Sequence, residues 1–211
     1  MALGDDIKAA YRDVGAAYSV NRRGPASSGE IETGYLDFEL NRQVTKPFIR
    51  EYFIEASLPY DSEAVVGDVI EFTKDGREFL LMNKTPEMFE NETYEHQCVL
   101  YKCNVTAGKL ERSSGEDWDD DYRKSFNWHV IDSSVRALQA ESLYGHSLEA
   151  DIELGQLGLE KFELYIPSTY GIQVKDRWTP VSGEWYMVTT VKSRRFEGVD
   201  VAELREDRRD R

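Results

Sequence analysis

What most constrains the fold of this chain is a change of hydrophobic period after Gly29. Before that point Ile7, Ala10, Tyr11, Val14, Ala17 and Tyr18 recur at three and four, one face of an α-helix, with Asp5 and Asp6 suited to its positive N-terminal end. This spacing predicts a single amphipathic helix over Asp5–Tyr18. Asn21–Gly29 (NRRGPASSG) has no apolar period and is rich in turn residues, so it reads as a loop carrying Arg22 and Arg23. From Glu30 onward the apolar residues come in short runs of β-formers separated by turn signals, and no second long helical pattern follows.

The runs Ile31–Leu40, Phe48–Ala56, Asp68–Thr73, Glu78–Asn83, Gln97–Val105 and Lys109–Arg112 predict a first β unit over 30–112, after a helix and loop over 1–29. Asp75-Gly76 is a hairpin dipeptide between two of these runs. Ser113–Lys124 (SSGEDWDDDYRK) interrupts the pattern with Glu116, Asp117, Asp119, Asp120 and Asp121, and reads as an acidic linker or exposed loop over 113–124. Phe126–Leu138, His146–Leu154, Phe162–Ile166, Ile172–Trp178, Glu184–Lys192 and Val199–Leu204 predict a second β unit over 125–211. Its charged end, REDRRDR, has nothing to bury and is expected to be exposed. The expected fold class is therefore mainly β: one or two small β-barrel-like units with a short N-terminal α-helix.

The two units share a recipe. Asp68 leads a strand, a turn follows at Gly76, and Glu78-Phe79-Leu80-Leu81-Met82 returns. Asp176 leads another, with a turn at Gly183 and Glu184-Trp185-Tyr186-Met187-Val188 returning. Two hairpins of one design point to two related halves. The rival explanation is that short hairpins resemble one another by chance.

Charge narrows the function classes. With 26 basic and 40 acidic residues the formal net charge is −14, the wrong sign for a free-standing nucleic-acid binder, which neutralises phosphates with a basic face. No stretch approaches the roughly 20 apolar residues of a transmembrane helix, and Asp5 and Asp6 stand where a signal peptide carries positive charge. A protein made in the cytoplasm, without a membrane partner, is expected. Cys98 and Cys103 lie at an odd offset in one predicted strand, so their side chains point to opposite faces and a disulfide is not expected. They lack the second ligand pair of a zinc site, and no metal or cofactor is expected. His96, His129 and His146 show no metal-ligand or triad spacing, and the chain has no P-loop, GxSxG or GxGxxG motif, so no catalytic residues are assigned and an enzyme is not expected.

Gly67-Asp68-Val69-Ile70-Glu71-Phe72, the strand Arg77–Asn83, then Val99–Val105 with its Cys103-Asn104 pair, and Lys109–Arg112 together resemble the middle of head-completion proteins of tailed phages. These are the stopper or neck proteins of the head-to-tail connector. The stretch from Tyr11 to Gly24 is compatible with that group, and Val174-Lys175-Asp176 through Phe196–Val199 is similar to a second barrel module of phage structural proteins. The resemblance implies a non-enzymatic virion protein of the neck. Such a protein forms a cyclic homo-oligomer, hexameric or dodecameric, that meets a portal or adaptor ring on one side and a tail-terminator or tail protein on the other. Genomic DNA passes through it without tight binding. Under this reading the acids Glu87, Glu90, Glu92 and Glu95 of the predicted loop Glu87–Glu95, with Glu116, Asp117, Asp119, Asp120 and Asp121, are candidates to face the channel. Arg22 and Arg23 are candidates to meet a neighbouring subunit. The alternative is a carbohydrate- or ligand-binding β module that stacks sugars on Trp118, Trp128, Trp178 and Trp185.

Overall fold

A computed structural model of the chain describes residues 2–25, 27–40, 52–118, 124–141 and 162–209. Helix α1 (Ala2–Val14) is followed by twelve strands: β1 (Ala16–Gly24), β2 (Ser27–Leu40), β3 (Phe53–Pro59), β4 (Val69–Phe72), β5 (Glu78–Phe89), β6 (Glu92–Lys102), β7 (Val105–Trp118), β8 (Lys124–Glu141), β9 (Phe162–Pro167), β10 (Arg177–Thr179), β11 (Tyr186–Phe196) and β12 (Val199–Glu206). They close into two six-stranded barrels, β1-β2-β3-β6-β5-β4 and β7-β8-β9-β12-β11-β10. Closure gives every described strand a neighbour on both sides within the barrel wall, and only the ends of the longer hairpins run beyond it.

The mainly β architecture behind one short helix is as the periodicity predicts, while several boundaries differ. The helix stops at Val14, and Ala17 and Tyr18 belong to β1, where Tyr18 points into the core. An apolar pair at helical spacing fits a strand too when the period is read over one turn. Asn21–Gly29 is the tip of the β1–β2 hairpin, with Gly24 opposite Ser27. Glu87–Glu95 is also no loop: β5 and β6 run on to a two-residue turn at Glu90 and Asn91, both at positive φ, as a type I′ turn demands. Ser113–Trp118 continues β7, so the division between the barrels falls between β6 and β7, at Cys103-Asn104. Of Ile172–Trp178 only the last two residues enter β10, and His146–Leu154 lies outside the described residues.

The two barrels have the same strand order and share two local irregularities. A bulge follows Val20 in β1 and Leu110 in β7, and another follows Leu81 in β5 and Val188 in β11. One constant offset relates Pro59 to Pro167 and Asp68 to Asp176, and carries Ile54, Ala56 and Leu58 onto Phe162, Leu164 and Ile166. The hairpin return matches Leu81 with Val188, since the N–H of Leu81 donates to the Asp68 carbonyl and that of Val188 to the Asp176 carbonyl, both at 2.9 Å. Matching Glu78 with Glu184, as the sequence suggests, is one residue out of step and would turn every side chain to the wrong face.

Volume is exchanged between the two cores. In the first barrel Tyr18 and Ile70 are both fully buried; at the same places the second has Gly108 and Trp178. A Cβ on Gly108 would lie 2.0 Å from the Trp178 ring, so the indole occupies the room that a tyrosine takes in the other barrel.

Candidate functional site

The first feature that follows from the repeat is a pair of arginine–aspartate clamps. In each barrel the turn before the fourth strand ends in an aspartate whose amide N–H donates three residues back, to the Val65 carbonyl at 3.0 Å in one and the Gln173 carbonyl at 3.1 Å in the other. Those residues return an N–H to the carboxylate, Val65 to Asp68 Oδ2 at 2.9 Å and Gln173 to Asp176 Oδ2 at 2.8 Å. Across the ladder an arginine completes the clamp with two parallel bonds: Arg22 Nε and Nη2 reach Asp68 at 2.9 Å each, and Arg112 Nε and Nη2 reach Asp176 at 2.8 and 2.7 Å. The fork geometry matches a carboxylate, and both aspartates are almost wholly buried.

Arg22 therefore serves its own barrel. Arg23 likewise turns inward: its Nη2 is 3.8 Å from Glu78, and its carbonyl accepts the Thr169 hydroxyl at 2.5 Å. These contacts belong to the junction between the barrels. Glu78 is buried and also takes Arg136 Nε of the second barrel at 2.9 and 3.0 Å. Beside this cluster Val69, Leu80, Met82 and Cys103 pack on Val199, with Tyr101 edge-on to Tyr165 at 5.5 Å. Backbones meet at Gly67 and Gly198, where a Cβ on either would stand 2.3 or 2.1 Å from a carbonyl oxygen of the other barrel. Their positive φ values, 97° and 71°, also favour glycine.

Two ribbons leave this body. Beyond Leu80, β5 pairs only with β6, and beyond Glu95, β6 pairs only with β5, so the hairpin tip has no neighbour strand. Glu90 and Glu92 are exposed there beside Met88 and Phe89, whereas Glu87 accepts the Tyr94 hydroxyl at 2.7 Å and Glu95 accepts that of Tyr11. Of the four acids, Glu90 and Glu92 are exposed and Glu87 and Glu95 hold local structure. The second ribbon is β7 beyond Arg112 with the start of β8; it carries Glu116 and Asp117, while Asp119, Asp120 and Asp121 lie outside the described residues.

In the charged C-terminal segment Arg205, Glu206 and Arg208 are exposed as expected, whereas Asp207 and Arg209 are drawn in against the second barrel. Asp207 is buried and receives Arg177 Nε at 2.8 Å and Arg209 Nε and Nη2 at 2.8 Å each. Trp128 lies under both guanidinium groups, 3.9 Å from that of Arg177 and 4.7 Å from that of Arg209. Burial opposes the ionised form of Asp207, but the hydrogen bonds from Arg209 and Arg177 outweigh it and hold the carboxyl below its ordinary range. A lowered folded-state value gives stability that is present above the unfolded value of about 3.9 and is lost as pH falls through the folded one. Protection of the Arg209 amide, which donates to Asp207 Oδ1 at 3.0 Å, should therefore persist from neutral pH to about pH 4 and fall below it. Hydrogen exchange corrected for intrinsic rates measures this; protection lost by about pH 6 would contradict the assignment.

The cysteines are free and buried on opposite sides of the first barrel wall, Cys98 in its core and Cys103 in the junction. Burial pushes the Cys98 thiol up to about 12 and raises Cys103 as well. Of the tryptophans, Trp178 is core and Trp128 is covered by arginines, which leaves Trp185 half-buried; Trp118 closes β7. His96 Nε2 is 3.1 Å from the Tyr60 carbonyl, His129 is exposed opposite Arg112, and His146 lies outside the described residues. No protein-family model, curated protein or solved structure matches this chain.

Proposed function

We propose that this chain is a structural component of a phage head-to-tail connector, in which copies form a ring that extends or closes the DNA channel and docks the tail. The observation that carries the reading is the tandem barrel body, close-packed at its glycine-to-glycine junction, from which acidic ribbons project. A compactly joined body with protruding hairpins suits a ring subunit: the body packs against neighbours, and the ribbons reach the lumen or the next ring. The charge of −14 per copy repels a passing polyanion wherever acids lie within about a Debye length, ~8 Å, of the lumen. Glu90 and Glu92, at the free tip of the β5–β6 ribbon, are the acids best placed for this role. Neck proteins as a group carry no catalytic residues or cofactor, and none is assigned here.

The test is negative-stain microscopy of the purified chain alone and mixed with a portal complex. An added ring of density on the portal is expected in the mixture. No binding to a portal, together with stoichiometric binding of a glycan by the isolated chain, would replace this reading with that of a ligand-binding module.

A further inference from the structure

Helix α1 covers, on the first barrel, the surface that the second barrel uses to receive the first. In the junction Thr169 bonds the Arg23 carbonyl and lies against Gly24, Val199 packs in the shared cluster, and Arg136 reaches across to Glu78. By the register of the repeat these three positions correspond to Asp61, Glu95 and Tyr35 of the first barrel. All three lie at the helix. Lys8 Nζ is 2.5 Å from Asp61, the Tyr11 hydroxyl donates to Glu95, and Tyr35 lines the groove of about 990 Å³ that runs beside α1.

The helix is a light cover. Of its residues from Leu3 to Val14 only Gly4 and Tyr11 are buried, Leu3 and Val14 are exposed, and Gly15 alone joins it to β1. The surface by which the first barrel offers itself to the second has an apolar centre, Val69, Leu80 and Cys103. This centre corresponds on the second barrel to Arg177, Met187 and Asp207, where Trp128 and Arg209 already pack on Arg177 and Asp207. The rim of that surface, Val66, Gly67, Tyr101 and the β1–β2 tip, corresponds to Val174, Lys175, Arg205 and Ser113-Ser114. There Val174 is 54% exposed, and Lys175 and Arg205 are exposed too. The covered face is acidic through Asp61, Glu63 and Glu95, and the rim of the offered face carries the exposed cations Lys175 and Arg205.

We propose that the α1-covered face of the first barrel is a docking face for the second barrel of another copy of this chain, with α1 as its displaceable cover. The contact repeats between chains what the junction does within one, and it is head-to-tail, the type that closes into rings. Its ring closure rests on the connector reading; the contact itself rests on the internal repeat.

In the junction a Cβ on Gly24 would stand 3.1 Å from that of Thr169. The corresponding pair between copies is Ser114 and Asp61, so Asp61→Cys and Ser114→Cys should form an intermolecular disulfide. The test uses the full chain with Gly4→Val added, whose Cβ meets the Tyr60 ring at 2.7 Å and lifts the helix. The native thiols are buried and contribute little background. On oxidation the double-cysteine chain should give a ladder of multimers. An equal mixture of the two single-cysteine chains should give a dimer and nothing longer, and Lys175→Glu with Arg205→Glu should abolish both products. If Gly4→Val fails to fold, Tyr11→Phe, which removes the hydroxyl's bonds to Glu95 and Ser57 and keeps the ring, carries the same test. A folded chain that gives no ladder, or single-cysteine chains that cross-link to themselves, would overturn the proposal. Rings on a portal without this cross-link would overturn the contact and leave the connector reading standing; a ladder without portal affinity supports the contact and counts against the connector.

Discussion

Replacing Arg112 with alanine should lower the unfolding free energy by about 3–5 kcal/mol, because Asp176 would keep a buried charge with its main partner gone. Asp176 is held on three sides, by both guanidinium nitrogens of Arg112 and by the Gln173 N–H, and its side chain is almost inaccessible to water. Arg112→Lys should recover little of the loss, since an ammonium cannot make two parallel bonds to one carboxylate. Arg22→Ala should act the same way on the first barrel but cost less. The Arg22 side chain is 44% exposed against 29% for Arg112, so water already screens more of its pair. Urea titrations at fixed pH measure both, and equal stability of Arg112→Ala and the parent chain would show that the clamp does not hold the turn before β10.

The second large effect lies in the core of the second barrel. Trp178→Ala should cost about 3–5 kcal/mol through lost burial and the cavity left behind. Gly108→Ala should also destabilise, by about 1–3 kcal/mol, since its new methyl meets the indole at a distance no packing tolerates. In a Trp178→Leu background the same Gly108→Ala change should cost far less, giving a coupling of about 1–3 kcal/mol in a double-mutant cycle. Additive effects would mean that the glycine is not there to admit the indole. Trp178 Nε1 also donates to Gln139 at 2.9 Å, and Trp178→Phe separates that bond from the ring's volume.

The volume exchange explains why the internal repeat is faint in the sequence. Tyr18 with Ile70 and Gly108 with Trp178 fill equivalent space, yet compared position by position they look unrelated. The Arg22–Asp68 and Arg112–Asp176 clamps were legible only as halves. Each aspartate stood out at the head of a strand, while its arginine lay in a stretch read as a loop or just before a supposed linker. Pro59 and Pro167, each nine residues before its aspartate, were a further signal at constant offset that apolar periodicity does not register.

The amino-acid sequence by itself determined the class of structure: one N-terminal helix, then short alternating runs and turn dipeptides that leave β-barrels as the economical way to bury an aromatic-rich core. It also placed Cys98 and Cys103 on opposite faces, because side-chain direction in a strand follows from parity alone. Strand lengths at the polar ends of hairpins were decided by the tertiary structure, since Ser27–Glu30, Glu87–Glu95 and Ser113–Trp118 have no apolar face to signal a strand and gain their pairing from a ladder begun elsewhere. The fate of the charges was decided there too. Arg22 and Arg23 lay in a stretch read as a loop and Asp207 in a tail expected to be exposed, and they became partners in ion pairs because closing each barrel and joining the two brought distant carboxylates and guanidinium groups within reach.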